Sequence, residues 1–216
     1  MNLGAEALRE RFAVYGRFYE ADLGGRRLAL RSHLEIFERS VAWPQVADAR
    51  ADLVAVMMNP GGSRPLDEPD RRGWALTLPD RTQYQLMKLA LRAQAAGHPV
   101  RHIRVINLSD LRTPKSTELF VTLAGLSDDR HSLLSSYRNA ELRKALGGER
   151  PSPVLRAWGL ARQLGPLAAK AVAATEHCQV LGLTNNNLGY RHPLPQRADF
   201  QQRWLDDMTE QIALAL

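Results

Sequence analysis

The chain has 216 residues, 44% of them hydrophobic, which suits one domain with a substantial core and excludes disorder as the default. Its net charge of +6, from 29 Lys plus Arg against 23 Asp plus Glu, fits a polyanionic partner, nucleic acid first, and equally a mildly basic protein without one. Cys178 is the single cysteine, which excludes an intrachain disulfide framework, a cysteine-based zinc site and a four-cysteine iron–sulfur cluster.

The N-terminal "MNLGAEALRERF" scatters charges through its length and does not read as a signal peptide. No segment approaches the ~20 apolar residues that span a bilayer, so a cytoplasmic protein is expected. Next, "RFAVYGRFYEADLGGRRLALRSHLEIF" reads as a β-hairpin, with Gly24-Gly25 as its turn and "RRLALR" alternating polar with apolar. The pattern then changes. "DLVAVMM", "IRVINL", "PVLRAW" and "CQVLGL" are short apolar runs that end in polar breaks. Longer segments of helical period separate them. "RTQYQLMKLALRAQAAG" places Tyr84, Met87 and Leu91 in helical spacing, with Lys88 on the flank and Gly97 as the stop. "STELFVTLAGLSDDRHSLLSSYRNAELRKALGG" holds further helix, interrupted around Ser127-Asp128. "GLARQLGPLAAKAVAATEH" has a kink or restart at Pro166, and "DFQQRWLDDMTEQIALAL" puts Phe200, Trp204, Met208, Gln211 and Ile212 near one stripe. His98 and His102 flank Pro99 in what reads as a surface turn.

Strand and helix in alternation imply an α/β fold: three α/β/α layers around a roughly four-stranded parallel sheet. Residues 1–216 read as a single domain, with 1–45 as an N-terminal hairpin-and-helix extension. Open parallel sheets bind ligands outside the carboxyl ends of their strands. Here those ends read "NPGGSRP", "NLSDLRTPKS", "WG" and "TNNNLGYRHPLPQR". In this fold Asn59, Asn107 and His192 converge on one edge.

These ends resemble the uracil-DNA glycosylase superfamily. Its single-strand-selective and mismatch-specific branches carry G-M-N-P-G or G-I-N-P-G after the first strand, matched here by Met57, Met58, Asn59, Pro60 and Gly61. H-P-S commonly follows the last strand, matched by His192, Pro193 and Leu194. Some branches carry an asparagine in a sequence like L-L-L-N-T at the second strand end, where "VINLSDLRT" places Asn107. A stacking aromatic lies a dozen or so residues past the first motif, where Trp74 stands. The "MMNP" and "RHPL" pairing also resembles a bacterial family of unknown function with M-L-N-P-S and R-H-P-L-Y, which implies no activity. Met57 replaces the usual glycine, Leu194 replaces the serine of H-P-S, and "NNNLGY" lengthens the last loop. These departures bear on base specificity more than on fold.

The resemblance implies hydrolysis of an N-glycosidic bond in DNA without metal or cofactor, by a protein expected to be a monomer. Asn59 would orient water through its carbonyl oxygen; the alternative is an Asx-turn residue that closes the strand. His192 would donate to a base oxygen as it gains charge, or else tie down its loop. Asn107, with donors and an acceptor, would pair with a pyrimidine edge, or else close a turn. Trp74 would stack on a flipped base, or else fill core. Pro60 and Gly61 would let backbone approach the base. Arg64, Arg71, Arg72, Arg112, Lys115, Arg191 and Arg197 follow strand ends and would grip phosphates, or else form a solvated surface. Leu194 or Tyr190 would fill the gap that a flipped base leaves. The base is uracil, another deaminated base or a bulky modified pyrimidine, in repair or in defence against modified phage DNA. Two other readings stand beside this one: a non-catalytic nucleic-acid-binding module, and an N-glycosidic hydrolase of free nucleosides or nucleotides.

Overall fold

The structure is a computed structural model that describes residues 3–184 and 188–215, so Asn185, Asn186 and Asn187 of the "NNNLGY" insertion lie outside the described residues. Helix α1 (Ala5–Arg11) runs into the hairpin of β1 (Phe12–Leu23) and β2 (Arg26–Glu38). Gly24 and Gly25 have φ of 56° and 71°, the left-handed pair that a tight hairpin turn requires. There follow α2 (Gln45–Asp48), β3 (Leu53–Met57), β4 (Trp74–Leu76), α3 (Arg81–Ala95), β5 (His102–Asn107), α4 (Ser116–Ala124) and α5 (Asn139–Ala145). The chain ends through β6 (Val154–Arg156), α6 (Gly165–Ala174), β7 (Val180–Leu181) and α7 (Ala198–Ala215).

One mixed seven-stranded sheet, in the order β4-β1-β2-β5-β3-β6-β7, organises these elements. Its parallel part is β5-β3-β6-β7, built from the four apolar runs. The expectation of a roughly four-stranded parallel sheet with an appended hairpin is therefore corrected. β2 pairs antiparallel with β5, Leu34 opposite Val105 and Ile36 opposite Ile103, so the hairpin extends the main sheet. The physical reason lies in β2, whose residues from Leu30 to Phe37 are all buried, as in an interior strand covered on both faces. β4 has three residues and pairs with the outer edge of β1, too short for a period-2 pattern to reveal.

Side-chain alternation along β3 separates two cores. Leu53, Ala55 and Met57 pack with Leu86, Met87 and Leu89 of α3 and with Trp204, Leu205, Met208 and Ile212 of α7. Val54 and Val56 pack on the other face with Leu142 of α5 and with Ala168 and Ala171 of α6. Helix α3 starts at a capping box: the Asp80 side chain accepts from the Gln83 N–H, and the Gln83 side chain accepts from the Asp80 N–H. Pro166 lies in the first turn of α6, so it restarts a helix rather than kinking one. Phe200 leaves the α7 stripe and lies exposed beneath the guanidinium groups of Arg197 and Arg203. His102 is not in a surface turn; it opens β5 and is buried against Glu35 at 2.6 Å. Among the described residues no helix is long and apolar enough to cross a membrane.

Candidate active site

The carboxyl ends of the parallel strands open onto a pocket of about 360 Å³. Asn59 reaches it from just past β3, Asn107 from the end of β5, and His192 from the loop after β7. Its apolar wall is Leu34, Met57, Leu86 and Val105, and the first turn of α3 closes another side. Pro60 and Gly61 line it too, and Gly61 takes a φ of 64°, open to glycine at little cost.

Asn59 is anchored at a distance in sequence. Its Nδ2 donates to the carbonyl oxygens of Leu111 (3.2 Å) and Thr113 (2.9 Å) and lies 3.1 Å from the Thr113 hydroxyl. The Asx-turn alternative would bond the side chain to its own turn, and these partners lie in the segment after β5. With the amide nitrogen spent there, Oδ1 is the atom left without a partner among the described residues.

His192 is fixed by the backbone N–H of Leu194, which donates to Nδ1 at 3.1 Å. A nitrogen that accepts carries a lone pair, so the neutral ring bears its proton on Nε2. Burial pushes the His192 pKa below the ordinary histidine value. The residue is thus a neutral hydrogen-bond donor at the pocket.

Asn107 is fully buried, and neither its Oδ1 nor its Nδ2 has a partner. Arg31, which no sequence motif marks, is in the same condition: it is 2% exposed, with Nε and Nη1 unpartnered. A bulge brings it to the pocket. Arg17 pairs with His33 and Phe18 with Arg31, so Ser32 is an extra residue on β2. Past it the alternation inverts, and Arg31 lines the pocket with Leu34, three positions away. Simple alternation puts Arg31 on the His33 and Glu35 face, which is why sequence reasoning misses it. Gly16 keeps space for the Phe18 ring, 2.8 Å from where a Cβ would lie, and for the Arg31 side chain, whose Cδ would lie 3.1 Å from it. Asp80, the cap of α3, is the one carboxylate among the described residues lining the pocket. The D-x-x-Q capping pattern is the sequence signal for it.

Other candidates fall elsewhere. Trp74 is buried in β4 against Trp43, with ring centroids 5.1 Å apart, and does not line the pocket. Its core alternative describes it. Tyr190 is buried with Arg156 and Trp158, which removes it as a wedge; Leu194 enters through its backbone N–H. Arg71 and Arg72 line a different cleft of about 610 Å³ with Arg17 and Arg138. Arg72 bonds Asp48, Lys115 pairs with Glu118 at 3.4 Å, and Arg197 bonds Asp199 at 2.8 Å. Arg112 donates to the Ser63 carbonyl oxygen at 2.7 Å and lies over the Phe18 ring, and Arg64 is exposed beyond it. Arg191 lines a cleft of about 700 Å³ with Phe200 and Trp204, which shares His192 with the pocket.

Among the described residues no group of three or more His, Cys, Asp or Glu could hold a metal ion. No known protein family, curated protein or solved structure matches the chain.

Proposed function

We propose that this protein is a DNA glycosylase that hydrolyses the N-glycosidic bond of a damaged or modified base, a pyrimidine being the class its pocket suits. One observation carries the reading: a free carbonyl oxygen on Asn59, a neutral Nε2–H donor on His192 and an unpaired amide on Asn107 line one pocket with ample room for a base. The bond from C1′ to the base breaks with both electrons leaving on the base. Water oxygen bonds to C1′ and its surplus proton passes to solvent or to the released base. Asn59 positions that water; a cation-like sugar needs little deprotonation of its attacker. His192 donates to the base oxygen as charge develops there. Asn107 holds the base edge through its donor and acceptor. The order of the four parallel strands and the place of the pocket are compatible with a uracil-DNA glycosylase-like fold. Cytoplasmic repair, or defence against modified phage DNA, is the setting such an activity would serve.

Duplexes that carry uracil, other deaminated bases or modified pyrimidines, incubated with the protein and then treated with alkali, test this directly. Strand breaks at the modified base are expected. Unbroken strands across the panel would remove the reading.

A second reading has its own support. Arg72, Lys115 and Arg197 pair with carboxylates, which weakens the expected phosphate grip and favours hydrolysis of free nucleosides or nucleotides. Base release from nucleoside, with none from DNA, identifies that case.

A further inference from the structure

Three arginines are buried among the described residues: Arg31, Arg104 and Arg156. Arg104 bonds Glu35 and four backbone carbonyls, and Arg156 bonds Thr175, Tyr190 and the Val172 carbonyl. Arg31 differs, with two of its nitrogens sealed from solvent and bonded to nothing. Burial lowers its pKa to about 10, and the Asp80 carboxylate helps keep it charged, so at neutral pH it is a cation. A desolvated cation without hydrogen bonds is strongly unfavourable, and an anion brought beside it relieves that cost. The surroundings limit what the anion is. Opposite Arg81 and Thr82 of the first turn of α3, Leu34, Leu86 and Val105 form an apolar wall that suits a flat ring more than a hydrated phosphate. The unpaired donor and acceptor of Asn107 suit the edge of a planar heterocycle.

We propose that Arg31 makes this pocket a site for the anionic form of a pyrimidine-like heterocycle, donating to a ring oxygen that carries negative charge. The proposal rests on reading the pocket as a base site. In that reaction the base departs as an anion, so Arg31 would be a second charge-stabilising group beside His192. It would help most with bases whose substituents already draw charge onto the ring oxygens.

Calorimetry with free heterocycles tests this without any glycosylase activity. The probes are barbiturate, a pyrimidine anion at neutral pH; uracil, of similar shape but neutral; and inorganic phosphate. Barbiturate should bind about tenfold to a hundredfold tighter than uracil, the range of a charge-assisted hydrogen bond. Phosphate should compete poorly. Arg31→Met should reduce barbiturate affinity to the level of uracil. It should also melt no lower than wild type, because it removes a buried charge whose Nε and Nη1 have no hydrogen bonds. Asp80→Asn, which keeps a competent helix cap, should tighten barbiturate binding by removing the opposing negative charge. Equal affinity for barbiturate and uracil in wild type would overturn the proposal, even if Arg31→Met failed to fold. So would phosphate competing as well as barbiturate, or an Arg31→Met protein that melts lower and still prefers the anion. Tight barbiturate binding without base release from DNA would leave the site standing and remove only the glycosylase reading.

Discussion

The backbone N–H of Leu194 donates to Nδ1 of His192 at 3.1 Å, and that bond decides which ring nitrogen carries the proton. It leaves Nε2–H as the donor. Protonating Nδ1 would set two N–H groups against each other, and burial already disfavours the charged ring.

The first prediction follows. His192→Ala should slow single-turnover base release most for bases that leave poorly, because a bond that strengthens with developing charge matters in proportion to that charge. A uniform drop across a series of substituted pyrimidines, matched by lost affinity, would reduce His192 to a loop anchor. The pH dependence has a definite sign. The folded pKa lies below the unfolded value, so the unfolded chain takes up the proton first as pH falls. This contribution to stability is present above the unfolded pKa and lost as pH falls from there through the folded one. Activity should persist somewhat further into acid, failing only when the folded ring itself protonates.

Asn59 gives the second. Its amide nitrogen faces the carbonyls of Leu111 and Thr113. Asn59→Ala should keep DNA binding and lower base release by about 10²-fold or more, the range of losing one positioned group. Asn59→Asp should also lower the melting temperature, because a carboxylate offers acceptors to acceptors. Near-normal turnover in Asn59→Ala would return the residue to a purely structural role.

The third concerns salt. If the chain grips DNA, affinity should fall steeply as ionic strength rises. Arg64→Ala and Arg71→Ala should each reduce the log–log slope by about one, as expected for a lost phosphate contact. Arg72→Ala and Arg197→Ala should change it less, since Asp48 and Asp199 already hold those guanidinium groups. A flat salt response, together with tight nucleoside binding, would favour the free-nucleoside reading.

The strand ends are legible because composition marks them: in an α/β chain, an apolar run that stops at Asn-Pro-Gly, or at Asn-Leu-Ser-Asp, is a buried strand reaching its polar edge. That alone brings Asn59, Asn107 and His192 to one edge of the sheet. Arg31 is not legible, because a single bulge at Ser32 inverts the face of every residue beyond it, and bulges leave little trace in sequence. Trp74 is misplaced for another reason. A count of residues past a motif says nothing about which way a three-residue edge strand turns. The interior position of β2 is hidden likewise, since Arg31, Ser32, His33 and Glu35 are buried polar groups that no hydrophobic pattern marks.

The last prediction concerns what holds Arg31 and Asn107 together. Glu35 of β2 is fully buried and accepts from Arg104 of β5 at 2.7 Å, and lies 2.6 Å from His102 of the same strand. These contacts join the two strands that carry Arg31 and Asn107. Burial alone would raise the Glu35 pKa; the hydrogen bond from His102 and the charge of Arg104 outweigh it and hold the pKa below the usual carboxylate value. Arg104→Met leaves that carboxylate with its main counter-charge gone, which should cost about 3–5 kcal/mol of stability. Glu35→Leu combined with Arg104→Met removes both charges and should recover much of the loss, so the double mutant should be more stable than Arg104→Met alone. The pH sign is that of a depressed carboxylate: the contribution is present above the unfolded pKa and lost as pH falls through the folded one. The double mutant should therefore lose less stability on acidification than wild type. Denaturant melts of the four proteins at neutral and acid pH measure all of this. Additive losses in the two single mutants would mean that Glu35 and Arg104 do not act as a pair, and that backbone hydrogen bonds alone hold β2 against β5.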